Sequence, residues 1–304
     1  MISIICPCYN EADVIEEFVR RLTGVLGADI SSYELVCVND GSTDSTLPKL
    51  LALKKEPLSL RIIDLSRRFG KEAALAAGLD HASGEAVIII DADLQDPPEL
   101  IPQLVASWRD GNKVVVARRV DRSTDTLMKR QSARAFYRLH NLISDTAIPL
   151  DVGDFRLMDS EVVDVLCKLP ERQRFMKGLF SWVGFDYAVV DYVRDKRASG
   201  RTKFNWWRLW NLGLEGITSF STAPLRIWTY VGLAISTVAF LYGGYIFVRT
   251  LVFGIDVPGY ASLLTAVLFL GGVQLISLGV IGEYIGRIYM ESKGRPIYVV
   301  RSEL

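Results

Sequence analysis

From residue 1 to about residue 120, short apolar runs alternate with longer stretches in which apolar residues recur at helical spacing. The runs near Ile2–Cys6, Glu34–Val38, Leu60–Leu65, Ala86–Ile90 and Lys113–Ala117 predict strands. The stretches around Ala12–Leu26, Ser45–Leu53, Glu72–His81 and Pro98–Asp110 predict helices. Strand then helix, repeated, implies a mostly parallel sheet covered on both faces. Ligands of such a sheet bind beyond the carboxyl ends of its strands. Residues 121–200 mix the two patterns and resolve into no clear element.

The pattern changes near the end of the chain. Ile227 to Val248 contains no charged residue, and neither does Val257 to Gly282. At about 1.5 Å per residue, each helix would be long enough to cross a ~30 Å hydrocarbon core. Ahead of them, Phe204, Trp206, Trp207, Leu209, Trp210, Leu212 and Leu214 recur beside basic residues, as in a helix lying in a membrane interface. The layout is therefore an α/β domain over 1–202, an amphipathic interfacial helix over 203–225, two membrane helices within 226–287 (about 227–250 and 257–283) and a tail over 288–304.

Charge fixes an orientation for the hairpin. Arg194, Lys196, Arg197, Arg201, Lys203, Arg208 and Arg226 precede the first span, and Arg287, Lys293, Arg295 and Arg301 follow the second. The connecting loop offers only Arg249, so both ends are expected in the cytoplasm, at the inner membrane. The chain opens directly into a strand pattern with no leader visible. Net charge is zero over 304 residues, which gives no sign of a nucleic-acid partner. The four cysteines, Cys6, Cys8, Cys37 and Cys167, form no CxxC pair, and the two histidines, His81 and His140, lie far apart. A zinc or thiol redox centre is not expected, and Cys6, Cys8 and Cys37 read as small packed hydrophobes.

Three strand ends hold candidate chemistry. Asp91-Ala92-Asp93 follows the buried-type run Val87–Ile90, and paired carboxylates at a strand end can share a hard cation such as Mg²⁺ or Mn²⁺. Gln95-Asp96-Pro97-Pro98 follows, with Asp96 able to cap the helix that a proline opens. Cys6-Pro7-Cys8-Tyr9-Asn10-Glu11 ends the first strand and Asn39-Asp40-Gly41-Ser42-Thr43-Asp44 the second. Tyr9 could stack on a base, and Asp40 could accept from a base or a ribose hydroxyl. Each loop alone could equally be a capped strand-to-helix turn. No GxGxxG follows a strand, Gly70-Lys71 lacks the rest of a P-loop, and neither a GxSxG elbow nor HExxH is present.

The set CPCYNE, VNDGSTD, RRFGKEAALAAGLDHASG, DADLQDPP, DVGDFR and GRTKF, followed by two apolar C-terminal stretches, resembles glycosyltransferase family 2. Within it the chain is similar to the bactoprenol (undecaprenyl phosphate) glucosyltransferases and, beyond them, to dolichyl-phosphate mannose synthases. The resemblance covers nearly the whole chain and implies a GT-A fold. It implies a nucleotide-sugar site formed by Pro7, Tyr9, Asn10, Glu11, Asp40, Lys71, Asp91, Ala92, Asp93 and Gln95, with Asp91 and Asp93 holding Mg²⁺ or Mn²⁺. It implies Asp154, in Gly153-Asp154-Phe155-Arg156, as the acidic catalytic residue. Arg119, Arg130, Arg134, Arg201 and Lys203 would meet the acceptor phosphate, with Arg118 and Lys129 as neighbours able to exchange roles with them.

The reaction implied is inverting transfer of a hexose, glucose from UDP-glucose favoured, to polyprenyl phosphate. GDP-mannose and UDP-aminosugars are the alternative donors. A lipid phosphomonoester, with a second pKa of about 6, is largely dianionic near neutrality. Asp154 is therefore expected to orient the sugar or stabilise charge more than to remove a proton. The resemblance also implies a homo-oligomer, with a tetramer as one candidate, and a downstream flippase and glycan transferase. Gly282 and Gly286 offer a small-xxx-small pair for helix packing. A processive polysaccharide synthase would carry more spans and a QxxRW motif, neither of which is present. A non-catalytic membrane module would not need Asp91, Asp93 and Asp154 together.

Overall fold

The structure, a computed structural model, describes residues 1–30, 32–55, 59–120, 152–172, 174–193, 223–254 and 259–304. The strands are β1 (Ile2–Cys8), β2 (Tyr33–Asn39), β3 (Leu60–Leu65), β4 (Ala86–Ile89), β5 (Val114–Arg119), β6 (Val152–Asp159), β7 (Tyr187–Tyr192) and β8 (Val300–Glu303). The helices are α1 (Ile15–Asp29), α2 (Thr46–Leu53), α3 (Lys71–His81), α4 (Ile101–Arg109), α5 (Ser160–Lys168), α6 (Met176–Trp182), α7 (Ala223–Phe253) and α8 (Tyr260–Ser292), with a 3₁₀ turn at Pro98–Leu100. The five strands expected before residue 120, and the helices between them, are all present.

The strands form one sheet in the order β7-β5-β6-β4-β1-β2-β3-β8. β1 pairs in parallel with β2 and β4, β2 with β3, and β5 with β7. β6 runs antiparallel between β4 and β5, and β8 antiparallel to β3. Continuous apolar runs such as Ile2–Cys6 are buried because helices cover both faces of the sheet. α3 shows how closely they do so: Ala73–Leu79 are all buried, and a Cβ on Gly78 would come within 2.3 Å of Ile5 Cγ2.

Reversal of β6 has a direct consequence for the site. Its first residues, not its last, lie at the edge where β1, β2 and β4 end. The β4–β6 register pairs Ala86 with Asp159 and Ile89 with Arg156. Continued two residues further, that register sets Asp91 opposite Asp154.

α7 contains the first expected apolar stretch and α8, which begins at Tyr260, most of the second; each helix is longer than the stretch the sequence suggested. Ile227–Phe253 and Phe269–Ser292 are each long and apolar enough to cross a membrane. Their large apolar side chains face outward, with Phe240 81% and Leu251 71% exposed, the reverse of a soluble core helix.

Residues 288–304 are not a free tail. α8 continues to Ser292, and the Glu291 carboxylate accepts from the Arg172 backbone N–H at 3.0 Å. The Arg172 guanidinium in turn donates to the Arg295 carbonyl. Tyr298 donates to Asp80 Oδ2 at 2.7 Å, and β8 then zips onto β3, with Arg61 and Glu303 paired at 2.5 Å. Most of the expected interfacial helix lies outside the described residues; from Ala223 onward its final residues belong to α7.

Candidate active site

The loops after β1, β2 and β3 are laced together by side chains that the sequence offered as ligands. Asn10 adopts a left-handed backbone (φ 55°), which asparagine tolerates better than most residues. Its side-chain oxygen accepts from the Thr43 N–H at 2.8 Å, and its own N–H donates to Ser42 Oγ at 3.0 Å. The Glu11 N–H donates to Thr46 Oγ1 at 2.9 Å. Pro7 lies in β1 opposite Val38 and shapes the last residues of that strand.

Asp40 is buried, and its carboxylate accepts from the backbone N–H groups of Phe69 at 2.6 Å and Gly70 at 3.0 Å. Burial raises its pKa, and these two hydrogen bonds oppose the rise. Asp40 thus holds the loop after β3 in place. Gly41 makes that approach feasible: at φ 60°, a Cβ there would lie 2.5 Å from backbone atoms of Arg67 and Arg68. The Arg68 guanidinium sits 4.0 Å over the Tyr9 ring, on one of the two faces a base could use.

The acidic centre follows from an alternation. Over 91–96, Asp91, Asp93 and Gln95 are partly exposed while Ala92, Leu94 and Asp96 are buried. Leu94 reaches its buried position through a left-handed backbone (φ 58°), a strained choice for leucine. Asp93 accepts from the Gln95 N–H at 3.1 Å, which orders the turn. Asp96 does not cap the following helix, as the sequence had suggested. It accepts from the Tyr192 hydroxyl at 2.5 Å inside the core, and Pro97 occupies the cap position without a side-chain bond.

Asp91 and Asp154 face each other as the strand register requires, and Lys71 joins them. Its Nζ lies 2.8 Å from Asp91 Oδ2 and 2.6 Å from Asp154 Oδ2. Burial would raise the Asp154 pKa, but the charges of Lys71 and Lys177 outweigh it and hold the carboxyl well below the usual range. Burial would lower the Lys71 pKa, yet the two carboxylates drive it well above its ordinary value. Beside them Glu72 accepts from the Met176 N–H at 2.9 Å. Burial and the Asp154 charge push Glu72 up to about 7. Arg156 is buried with its guanidinium 4.0 Å over the Phe180 ring, and it donates to the Gly153 carbonyl at 2.8 Å, bracing the residue before Asp154. Burial brings its pKa down to about 10.

A single ammonium within 2.8 Å of two carboxylate oxygens shows that this cleft accepts a cation, and its donors are hard oxygens. The residues present therefore fit a divalent ion such as Mg²⁺ or Mn²⁺. Arg119 ends β5 at the same edge, while Arg118 is held by Asp191 through two bonds of 2.7 and 2.9 Å. Arg130, Arg134, Arg201 and Lys203, with Lys129, lie outside the described residues. The sequence reading gave no role to Arg68 and Glu72, although both lie in the RRFGKEAALAAGLDHASG stretch, and it missed Lys177, which lies in none of the quoted motifs. It also missed that the sulfurs of Cys6, Cys8 and Cys37 lie within 4.8 Å of one another. All three are buried, Cys6 and Cys8 in β1 and Cys37 in β2, and burial pushes the Cys6 thiol well above its ordinary range.

Comparison with known proteins adds to this geometry. Residues 3–167 match the model of glycosyl transferase family 2, and residues 223–288 match the GtrB C-terminal hairpin. The bactoprenol glucosyl transferase of Shigella phage SfV is 54% identical over 302 residues, covering 99% of this chain and 98% of that protein. An uncharacterized glycosyltransferase of Synechocystis sp. is 52% identical over 299 residues, covering 98% of this chain and 94% of that protein. Among solved structures, glucosyl-3-phosphoglycerate synthase from Mycobacterium tuberculosis, in complex with Mn²⁺, UDP and phosphoglyceric acid, aligns with a TM-score of 0.47 and 22% identity over 72% of this chain and 76% of that one.

Proposed function

Because the chain belongs to glycosyltransferase family 2 and carries the GtrB C-terminal hairpin over residues 223–288, we propose that it transfers glucose from UDP-glucose to undecaprenyl (polyprenyl) phosphate with inversion, at the cytoplasmic face of a membrane. The observation that carries this reading is the meeting of Asp91, Lys71 and Asp154 at one sheet edge, in a chain that also has two apolar helices of spanning length.

Asp91 and Asp93 would hold the divalent ion, with Gln95 beside them. When bound, that ion neutralises charge gathering on the leaving diphosphate. The loops fixed by Asn10 and Asp40 form a preset rim for the nucleotide, so little ordering remains to be done on binding. Asp154, kept ionised by Lys71 and Lys177, favours positive charge developing at the anomeric carbon. An acceptor phosphate that is already dianionic needs no base. Arg119, with Arg130, Arg134, Arg201 and Lys203, supplies cations of the type that binds a phosphate.

The test is to incubate the detergent-purified full chain with undecaprenyl phosphate, Mg²⁺ or Mn²⁺, and a panel of labelled sugar nucleotides. A glucolipid formed from UDP-glucose and abolished by EDTA is the expected product. Transfer from GDP-mannose or a UDP-aminosugar instead would replace the donor assignment. Lack of any lipid-linked sugar would reject the acceptor.

A further inference from the structure

Lys71 places a cation against two of the site's carboxylates. Lys71 is the first residue of α3, and the helix behind it is locked in place, with Ala73–Leu79 buried. Only the side chain can therefore move readily. Its four-carbon stem is flexible, and 41% of the side chain is exposed. The oxygens it binds, Asp91 Oδ2 and Asp154 Oδ2, come from the two strands that the β4–β6 register brings face to face. Asp93, the other carboxylate of the pair, instead accepts from the Gln95 N–H.

We propose that Lys71 is a built-in counter-ion that bridges Asp91 and Asp154 and gives up Asp91 to the divalent ion, held by Asp91 and Asp93, when the donor binds. This deepens the transferase reading and rests on it. Two cations cannot both bind Asp91 Oδ2 at full strength, so the ammonium competes with metal for that oxygen. A nucleotide diphosphate changes the balance in two ways: it brings oxygen ligands for the metal and a new anionic partner for the displaced ammonium. Metal and nucleotide should therefore bind with positive cooperativity, and reciprocally so. Lys71 is in this sense a positioning residue. It keeps two like charges together while the site is empty and discourages futile metal loading.

The experiment measures Mn²⁺ binding calorimetrically on the full-length chain in detergent, with and without UDP, for the wild type, Lys71→Met and Lys71→Arg. Without UDP, Lys71→Met should bind Mn²⁺ about tenfold more tightly than wild type, within the usual range of coupled binding. Saturating UDP should then improve Mn²⁺ affinity less in Lys71→Met than in wild type, and Lys71→Arg should behave like wild type. Because loss of the ammonium leaves two carboxylates unbalanced, a thermal melt provides a second readout: Mn²⁺ should raise the melting temperature of Lys71→Met more than that of wild type. Equal or weaker Mn²⁺ affinity of Lys71→Met without UDP would overturn the counter-ion role and leave the metal-dependent reading intact. No Mn²⁺ binding to any variant, even with UDP, would bring down both.

Discussion

At the scale of single residues, the site is governed by charge held in a fixed arrangement. Asp154 lies too far below the ordinary carboxylate range to exchange protons near neutrality. Its folded-state pKa is depressed, so whatever it contributes is constant above the usual value of about 3.9 and is lost only in strong acid. The expected outcome is a rate profile with no inflection from this group between about pH 5 and 8. Asp154→Asn should be as damaging as Asp154→Ala, each by about 10²- to 10⁴-fold, since both remove the charge. An inflection in that window that disappears in Asp154→Asn would make it a base after all. Glu72 behaves in the opposite way. Its folded pKa is raised to about 7 from 4.5, so between these values the unfolded chain binds fewer protons and stability falls as pH rises. In melts of the metal-free protein, Glu72→Gln should therefore gain on wild type from pH 5 to pH 8. A difference independent of pH would contradict the assignment.

At the scale of elements, what could be read in advance follows a simple division. Runs such as Val87–Ile90 announce buried strands because both faces of the sheet are covered, and the loops after them carry the polar residues. The motif residues were legible; their division of labour was not. Nothing in VNDGSTD says that Asp40 spends its carboxylate on the amides of Phe69 and Gly70, because those lie one strand away. Cys37 joins Cys6 and Cys8 only through the Cys6↔Cys37 register of β1 and β2. Lys177 reaches the charge of Asp154 from α6, inside the stretch where periodicity was weakest. β8 is the clearest case of an element that sequence could not announce. Four residues of mixed polarity form a strand only because β3 has an open edge to receive them. Leu304 and Ile62 exchange backbone bonds of 2.8 and 2.9 Å across that seam. Removing residues 299–304 should cost about 2–5 kcal/mol, given roughly 1 kcal/mol per net hydrogen bond, and lower the melting temperature in detergent. An unchanged melt would mean that the seam is not closed in solution.

At the scale of the whole molecule, the sheet and the hairpin are parts of one design rather than a domain and its anchor. The two apolar stretches and the α/β alternation were visible from composition and periodicity alone. What they could not reveal is that the chain comes back. Strands β1–β7 precede the hairpin, β8 follows it, and all eight share one hydrogen-bonded surface. A polypeptide that leaves a sheet, enters a bilayer and rejoins the same sheet must traverse the lipid an even number of times. With α7 and α8 both crossing the bilayer, as proposed above, the closing strand would be a parity lock: deleting or adding one crossing would leave Val300–Glu303 on the wrong side of the membrane, and the edge of β3 bare.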